Sequence, residues 1–180
     1  MQPPEREDPS YLDETSFVVL AMIERLGPMT VQEVKLNVRS TLCDFWPSQH
    51  VYLPGEPARL ARGGYLEGTR VRPEGSQKPG KTKWALTQRG REALAALRRE
   101  PPVDLPELRD HGITKLHLGG EPAVVAEAQR RVHAERLARF ERRLAEMQDG
   151  GEGPRLALEV QIRYARAAVE AWTEVAERDG

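Results

Sequence analysis

The sequence has 180 residues, of which 39% are hydrophobic and 31% are charged, and its formal net charge is −1. This composition is typical of a soluble globular protein and excludes collagen-like and low-complexity chains. No stretch approaches the roughly 20 consecutive apolar residues that a membrane-spanning helix needs. Cys43 is the single cysteine, which excludes an intrachain disulfide, and the acidic first ten residues are unlike a signal peptide. We therefore expect a cytoplasmic protein.

Charge is distributed unevenly along the chain. Residues 1–47 carry a net charge of −4, residues 48–100 carry +6, and residues 101–180 carry −3. Because attraction to phosphates depends on the local field, a basic block between two acidic ones indicates a local site for a polyanion. An ordinary solvated basic surface would leave the same pattern, so charge alone does not choose between the two.

Three helices are predicted in the first part of the chain. The first covers 13–26 and ends at Gly27-Pro28. The second covers 31–43, because Thr30 and Glu33 have the spacing of a capping box. The third is irregular, with one turn at 48–53, a break, and a firmer turn over 56–62 in which Pro57 takes an early helical position.

A β-hairpin and a fourth helix follow. Residues 65–72 and 81–86 have the pattern of strands, and Thr82, Trp84 and Leu86 alternate with Lys81, Lys83 and Ala85. Residues 73–80 form a long, basic tip, and Thr87 begins a helix over 88–99. Three helices, a hairpin and a helix are the order of a winged helix-turn-helix, whose second and third helices dock on DNA.

Helices dominate the remainder of the chain. A short helix is predicted at 105–118, followed by long helices over 122–148 and 155–177 with a break at 149–154. The last helix carries two apolar stripes, so it needs two partners. One stripe contains Leu156, Val160 and Tyr164, and the other contains Leu158 and Ile162. We expect a hairpin partner to cover one stripe and a second subunit the other; the alternative is that both pack within one chain against helix 88–99. The predicted subunit contact consists of Leu137, Phe140, Leu144, Leu158, Ile162, Ala165, Val169 and Trp172.

The predicted fold class is therefore mainly α with a small β-hairpin. We expect a disordered lead over 1–11, a winged helix-turn-helix domain over 12–100, a linker over 101–120 and a helical dimerisation domain over 121–180.

Several segments in this order resemble the PadR family of bacterial transcriptional regulators. They include Phe45-Trp46-Pro47-Ser48, Glu56-Pro57-Ala58-Arg59-Leu60 and Lys83-Trp84-Ala85-Leu86-Thr87, and the helical C-terminal region is similar to that of the virulence-activator-like members. The resemblance implies a dimeric repressor that binds a palindromic operator and is released from it by a small-molecule effector. It also implies that Tyr52 faces DNA. Leu53-Pro54-Gly55 lengthens the usual connection after that tyrosine.

The candidate DNA-binding residues lie in the third helix and the hairpin. N-terminal residues of a recognition helix reach base edges, which points to Ser48, Gln49, His50 and Tyr52. Phosphate contacts dominate affinity and use basic side chains. Those predicted to serve this purpose are Arg59, Arg62, Arg70, Arg72, Lys78, Lys81 and Lys83. The competing interpretation is that Tyr52 packs against the hairpin, Arg59 solvates its helix and the lysines protect a strand edge from aggregation.

Catalysis, a metal and a cofactor are not expected. The four histidines do not combine with Cys43 or carboxylates at metal-ligand spacing, and no glycine-rich phosphate loop or nucleophile motif is present. An enzyme is therefore the weakest of three function classes. The main alternative to a DNA-binding regulator is a protein–protein interaction module that uses the winged-helix fold without binding DNA.

Overall fold

The computed structural model describes residues 8, 10–42, 53–72, 80–102, 110–148 and 151–178. The chain divides into two compact units, Met1–Asp104 and Leu105–Gly180, which are called the N-terminal and C-terminal units below. The helices and strands, in chain order, are α1 Glu14–Leu26, α2 Val31–Thr41, α3 Glu56–Arg62, β1 Leu66–Val71, β2 Lys81–Leu86, α4 Gln88–Leu97, α5 His111–His117, α6 Pro122–Ala145 and α7 Glu152–Arg178.

Local side-chain hydrogen bonds set the starts of the first two helices. Asp13 caps α1 by accepting from the backbone of Ser16, while the Ser16 hydroxyl accepts from the backbone of Asp13. Thr30 and Glu33 form the predicted capping box at the start of α2. Gly27 ends α1 at a φ of 84°, a conformation that glycine adopts without steric cost.

The hairpin is antiparallel and gains a third partner at its base. β1 pairs with β2 so that Leu66 lies opposite Leu86 and Val71 lies opposite Lys81. The backbones of Met29 and Trp84 exchange two hydrogen bonds of 3.1 and 2.9 Å. The segment between α1 and α2 therefore extends the sheet and holds the base of the hairpin against the helices.

One apolar core holds the N-terminal unit together. Val19 and Leu20 from α1, Val38 from α2, Leu60 from α3 and Leu94 from α4 are fully buried in it. The fourth helix approaches the hairpin so closely that a Cβ at Gly90 would lie 2.1 Å from the Tyr65 carbonyl oxygen. Only glycine fits at that contact without moving the backbone.

The C-terminal unit is built on the packing of α6 along α7. Phe140, Leu158, Ile162 and Ala165 form one buried cluster, and Leu137, Leu144 and Met147 pack against it. Trp172 is buried in a second cluster with Val125 and Ala126. None of the helices within the described ranges is long and apolar enough to span a membrane.

These clusters correct the predicted subunit contact. Its members, apart from the half-buried Val169, form the contact between α6 and α7 of one chain: Leu137, Phe140, Leu144, Leu158, Ile162, Ala165 and Trp172. The physical reason is proximity, because a short connection keeps the two stripes together and they bury each other within the chain. The stripe that remains exposed is the other one, and it includes Leu156, Val160 and Tyr164.

Most predicted elements match the observed ones, with differences of a few residues at several boundaries. Helix α7 begins at Glu152, inside the predicted break, because Pro154 falls in the first turn, where a missing backbone N–H costs nothing. Helix α5 covers His111–His117 with Asp110 as its N-cap, and residues 105–109 of the predicted helix lie outside the described residues. Within the predicted disordered lead, the backbone carbonyls of Asp8 and Tyr11 accept hydrogen bonds from Arg59. The turn predicted at 48–53 lies mostly outside the described residues.

Candidate nucleic-acid interface

The two faces of the hairpin carry different basic side chains. Directly opposite residues of an antiparallel pair project to the same face. Lys81 lies opposite Val71 and Lys83 lies opposite Thr69, so the two lysines share one face, called the lysine face below. Arg70 lies opposite Thr82 and projects to the other face, where Trp84 packs against the apolar core at the base of the hairpin. The lysine face is therefore the side of the hairpin that turns away from the core.

The predicted phosphate-binding residues, except Arg59, lie at the surface of the N-terminal unit where the structure describes them. Arg62, Arg70, Arg72 and Lys81 are exposed, and Lys83 is partly exposed. Lys78, Ser48, Gln49, His50 and Tyr52 lie outside the described residues, as do Cys43 and Trp46. The base-reading residues of the third helix thus remain predictions, whereas the arginine and lysine side chains above lie at the solvent-exposed surface.

The start of α2 lies close to the lysine face. The Glu33 carboxylate accepts a 2.6 Å hydrogen bond from the backbone N–H of Thr30. This bond is the main reason that the pKa of Glu33 lies below its ordinary value, and the nearby charges of Lys83 and Lys81 lower it further. The lysines and the positive end of the α2 dipole therefore form a cationic corner that Glu33 partly neutralises.

Glu33 predicts a pH effect on stability. Because the pKa of Glu33 is lower in the folded chain, its ionised form stabilises the fold at neutral pH, and this contribution is lost as the pH falls through the lowered pKa. Glu33→Gln is expected to lower the free energy of unfolding at pH 7 by about 0.5 kcal/mol. Below about pH 4.5, the free energy of unfolding of this variant should decrease less than that of wild type. Urea unfolding at both pH values measures this. Glu67→Gln, on exposed β1, is the control; equal acid sensitivity of Glu33→Gln and wild type would contradict the assignment.

Arg59 does not belong to the surface, and its predicted phosphate contact is wrong. Its guanidinium is buried and uses all five N–H donors within the chain. It donates to both carboxylate oxygens of Glu56, to the Ser16 hydroxyl, and to the carbonyls of Asp8 and Tyr11. These bonds to Glu56 also raise the pKa of Arg59 above its ordinary value.

Sequence reasoning missed this buried polar cluster, although a signal was present. A glutamate and an arginine three residues apart flank the apolar positions of a short helix, and a serine interrupts the apolar start of α1. Either feature fits a surface position when taken alone. Only their approach in space, across about 40 residues of chain, turns them into partners.

No protein-family model and no curated protein matches the sequence. Solved structures do match. Bacillus subtilis PadR in complex with operator DNA has 14% identity and a TM-score of 0.76, covering 91% of this chain and 97% of that one. This chain has a PadR-like fold.

Two further structures extend the match to the PadR-like fold. Bacillus subtilis PadR in complex with p-coumaric acid has 16% identity and a TM-score of 0.69, covering 92% of this chain and 98% of that one. The Vibrio cholerae virulence activator AphA has 18% identity and a TM-score of 0.64, covering 92% and 97%. The predicted fold class and the PadR resemblance are thus confirmed at the level of the fold.

Proposed function

We propose that this protein is a sequence-specific regulator of transcription that binds double-stranded DNA in the bacterial cytoplasm. The observation that carries the proposal is the exposed basic hairpin of the N-terminal unit, in a fold shared with a protein whose structure contains operator DNA. The net charge of +6 over residues 48–100 supplies the local field that phosphates require. The protein would regulate by occupying a promoter, with no chemical step.

The proposed contacts divide by chemistry. Arg62, Arg70, Arg72, Lys78, Lys81 and Lys83 would bind phosphates, which fixes the orientation of the protein on the duplex without reading sequence. Ser48, Gln49, His50 and Tyr52 would face the bases, where a glutamine side chain can pair with adenine and a hydroxyl can serve either a base or a phosphate.

We further propose that the active form is a homodimer joined through α7. Leu156, Val160 and Tyr164 lie at intervals of four residues on one face of this helix and are 51%, 45% and 67% exposed. Ala167 and Ala171 continue the same face. A two-fold contact places the same patch of each subunit against its copy, so the patch must be complementary to itself. An apolar stripe is self-complementary because it needs no pairing of opposite charges. Two N-terminal units held in this way would read both halves of a palindromic operator.

We also propose that the protein is a repressor of transcription and that it responds to a small-molecule effector. Bacillus subtilis PadR has been solved with p-coumaric acid as well as with operator DNA. For the present chain we propose a ligand that binds two arrangements of the dimer with different affinity, since only differential affinity can shift the equilibrium between them.

Selection from a duplex library with a randomised central region tests the proposal. Wild-type protein is expected to enrich a palindromic sequence, and log K for that duplex should fall by about 0.9 per phosphate contact for each decade of salt. Failure to bind any duplex at low salt would contradict the function and leave a protein–protein interaction module as the alternative.

The lysine face provides the sharper test within the hairpin. Lys81→Ala combined with Lys83→Ala is expected to weaken binding to all duplexes alike and to reduce the salt slope by about 0.9 for each phosphate that the variant no longer neutralises. Binding assays across a salt series measure both effects. Arg98→Ala combined with Arg99→Ala removes the same charge from the exposed end of α4 and is expected to leave the slope unchanged. Equal effects of the two double variants would show that net charge, rather than this face, attracts DNA.

A further inference from the structure

A buried polar cluster joins the third helix to the first. It consists of Ser16 in α1 with Glu56 and Arg59 in α3, which are 0%, 8% and 6% exposed, and it is called the α3 anchor below. The Ser16 hydroxyl lies 2.8 Å from a carboxylate oxygen of Glu56 and accepts a 2.8 Å hydrogen bond from Arg59. Arg59 also forms a bidentate ion pair with Glu56, in which Nε lies 2.9 Å from one carboxylate oxygen and Nη2 lies 2.6 Å from the other.

The anchor reaches a third part of the N-terminal unit. The remaining guanidinium nitrogen, Nη1 of Arg59, donates to the carbonyl of Asp8, at 2.8 Å, and to the carbonyl of Tyr11. The Tyr65 hydroxyl, just before β1, lies 3.5 Å from the carbonyl of Ser10. The segment that leads into α1 therefore lies against both α3 and the first residue before the hairpin.

Helix α3 depends on such contacts for its position. It has seven residues, and its N-cap, Gly55, provides no side-chain hydrogen bond. A helix of this length is not stable alone, so tertiary contacts must hold it. Leu60 packs against the apolar core and limits how closely α3 approaches it. Because apolar packing is non-directional, it does not by itself set the rotation of the helix. The guanidinium group of Arg59 is planar and its N–H donors point in fixed directions. Its hydrogen bonds therefore set the rotation and the distance of α3 relative to α1.

We propose that Ser16, Glu56 and Arg59 are positioning residues for DNA reading, which act on affinity without touching DNA. In the helix-turn-helix arrangement α3 belongs to the reading element, and its exposed Arg62 lies one turn after the buried Arg59. Because sequence discrimination needs side chains placed to within a fraction of an ångström, loosening the anchor costs specific binding more than general phosphate attraction. This inference rests on the proposed DNA-binding function.

The test compares Arg59→Lys and Ser16→Ala with wild type in the full-length chain. Each is assayed on the duplex that wild type enriches most strongly and on a scrambled duplex of equal length, at a temperature where circular dichroism shows the native helix content. We expect about a tenfold loss of affinity for the enriched duplex, little change for the scrambled one, and an unchanged salt slope. Arg98→Lys, the same replacement at an exposed pair with Glu24, is expected to bind like wild type.

The outcomes separate the two proposals. If wild type binds no duplex, the proposed function fails before the anchor is tested. If wild type binds and both folded variants bind the enriched duplex as tightly as wild type does, the anchor has only a structural role and the inference is overturned. A reduced salt slope in Arg59→Met, which removes the charge, would overturn it in the other direction, since Arg59 would then neutralise a phosphate directly. Should Arg59→Lys fail to fold, Ser16→Ala, which changes no charge, decides the question.

Discussion

Replacement of Arg59 by alanine is expected to lower the free energy of unfolding of the N-terminal unit by about 3–5 kcal/mol. The change leaves the Glu56 carboxylate buried without its cationic partner and removes one donor from each of the carbonyls of Asp8 and Tyr11. An uncompensated buried charge costs far more than the loss of a surface ion pair. Urea unfolding followed by circular dichroism measures the effect.

Arg62→Ala is the matched control for stability, since it truncates an exposed arginine in the same helix. Its effect on unfolding is expected to stay within about 0.5 kcal/mol. A loss below about 1 kcal/mol for Arg59→Ala would show that water reaches Glu56 and would contradict the burial of the pair.

A double variant distinguishes the contribution of the α3 anchor to stability from its contribution to the position of α3. Arg59→Met combined with Glu56→Leu removes both charges and keeps similar volumes, so much of the stability lost in Arg59→Ala should return. If the anchor positions α3 as proposed, this stable variant should still bind the enriched duplex more weakly than wild type.

Val160→Asp is expected to convert the proposed homodimer into a folded monomer. The aspartate would place an unpaired charge in the centre of the apolar stripe formed by Leu156, Val160 and Tyr164. Because linked units gain about 10²–10⁴ in avidity, affinity for the palindromic duplex should fall by at least about 100-fold while affinity for a half-site stays the same. Sedimentation velocity and binding to both duplexes measure the two effects.

Trp172→Asp provides the contrast to Val160→Asp. Trp172 is buried against Val125 and Ala126 within one chain, so the charge would disrupt the packing of the C-terminal unit itself. We expect loss of helical circular dichroism and of cooperative unfolding in this variant. A fully helical dimer in Val160→Asp would instead show that the subunits meet elsewhere.

The boundaries of the elements were largely predictable because short-range interactions set them. Asp13, Thr30 and Thr87 each satisfy backbone donors at the start of a helix only a few residues away. Gly27 ends α1 in a conformation that other residues avoid. The alternation around Trp84 predicted both the strand and the face that packs on the core. In each case the information lies within one turn or one strand of the residue concerned.

The partners of the apolar stripes and of Arg59 could not be predicted from short-range interactions. Both stripes of α7 have helical spacing, and the choice of the one containing Leu158 and Ile162 for the intrachain contact depends on how α6 folds back upon it. Arg59 has the sequence context of a surface arginine, yet Ser16, Glu56 and two distant carbonyls enclose it. Local chemistry therefore dictates where helices and strands begin and end. Contacts between residues far apart in the chain decide which of their faces are buried, because burial depends on what the rest of the chain brings alongside.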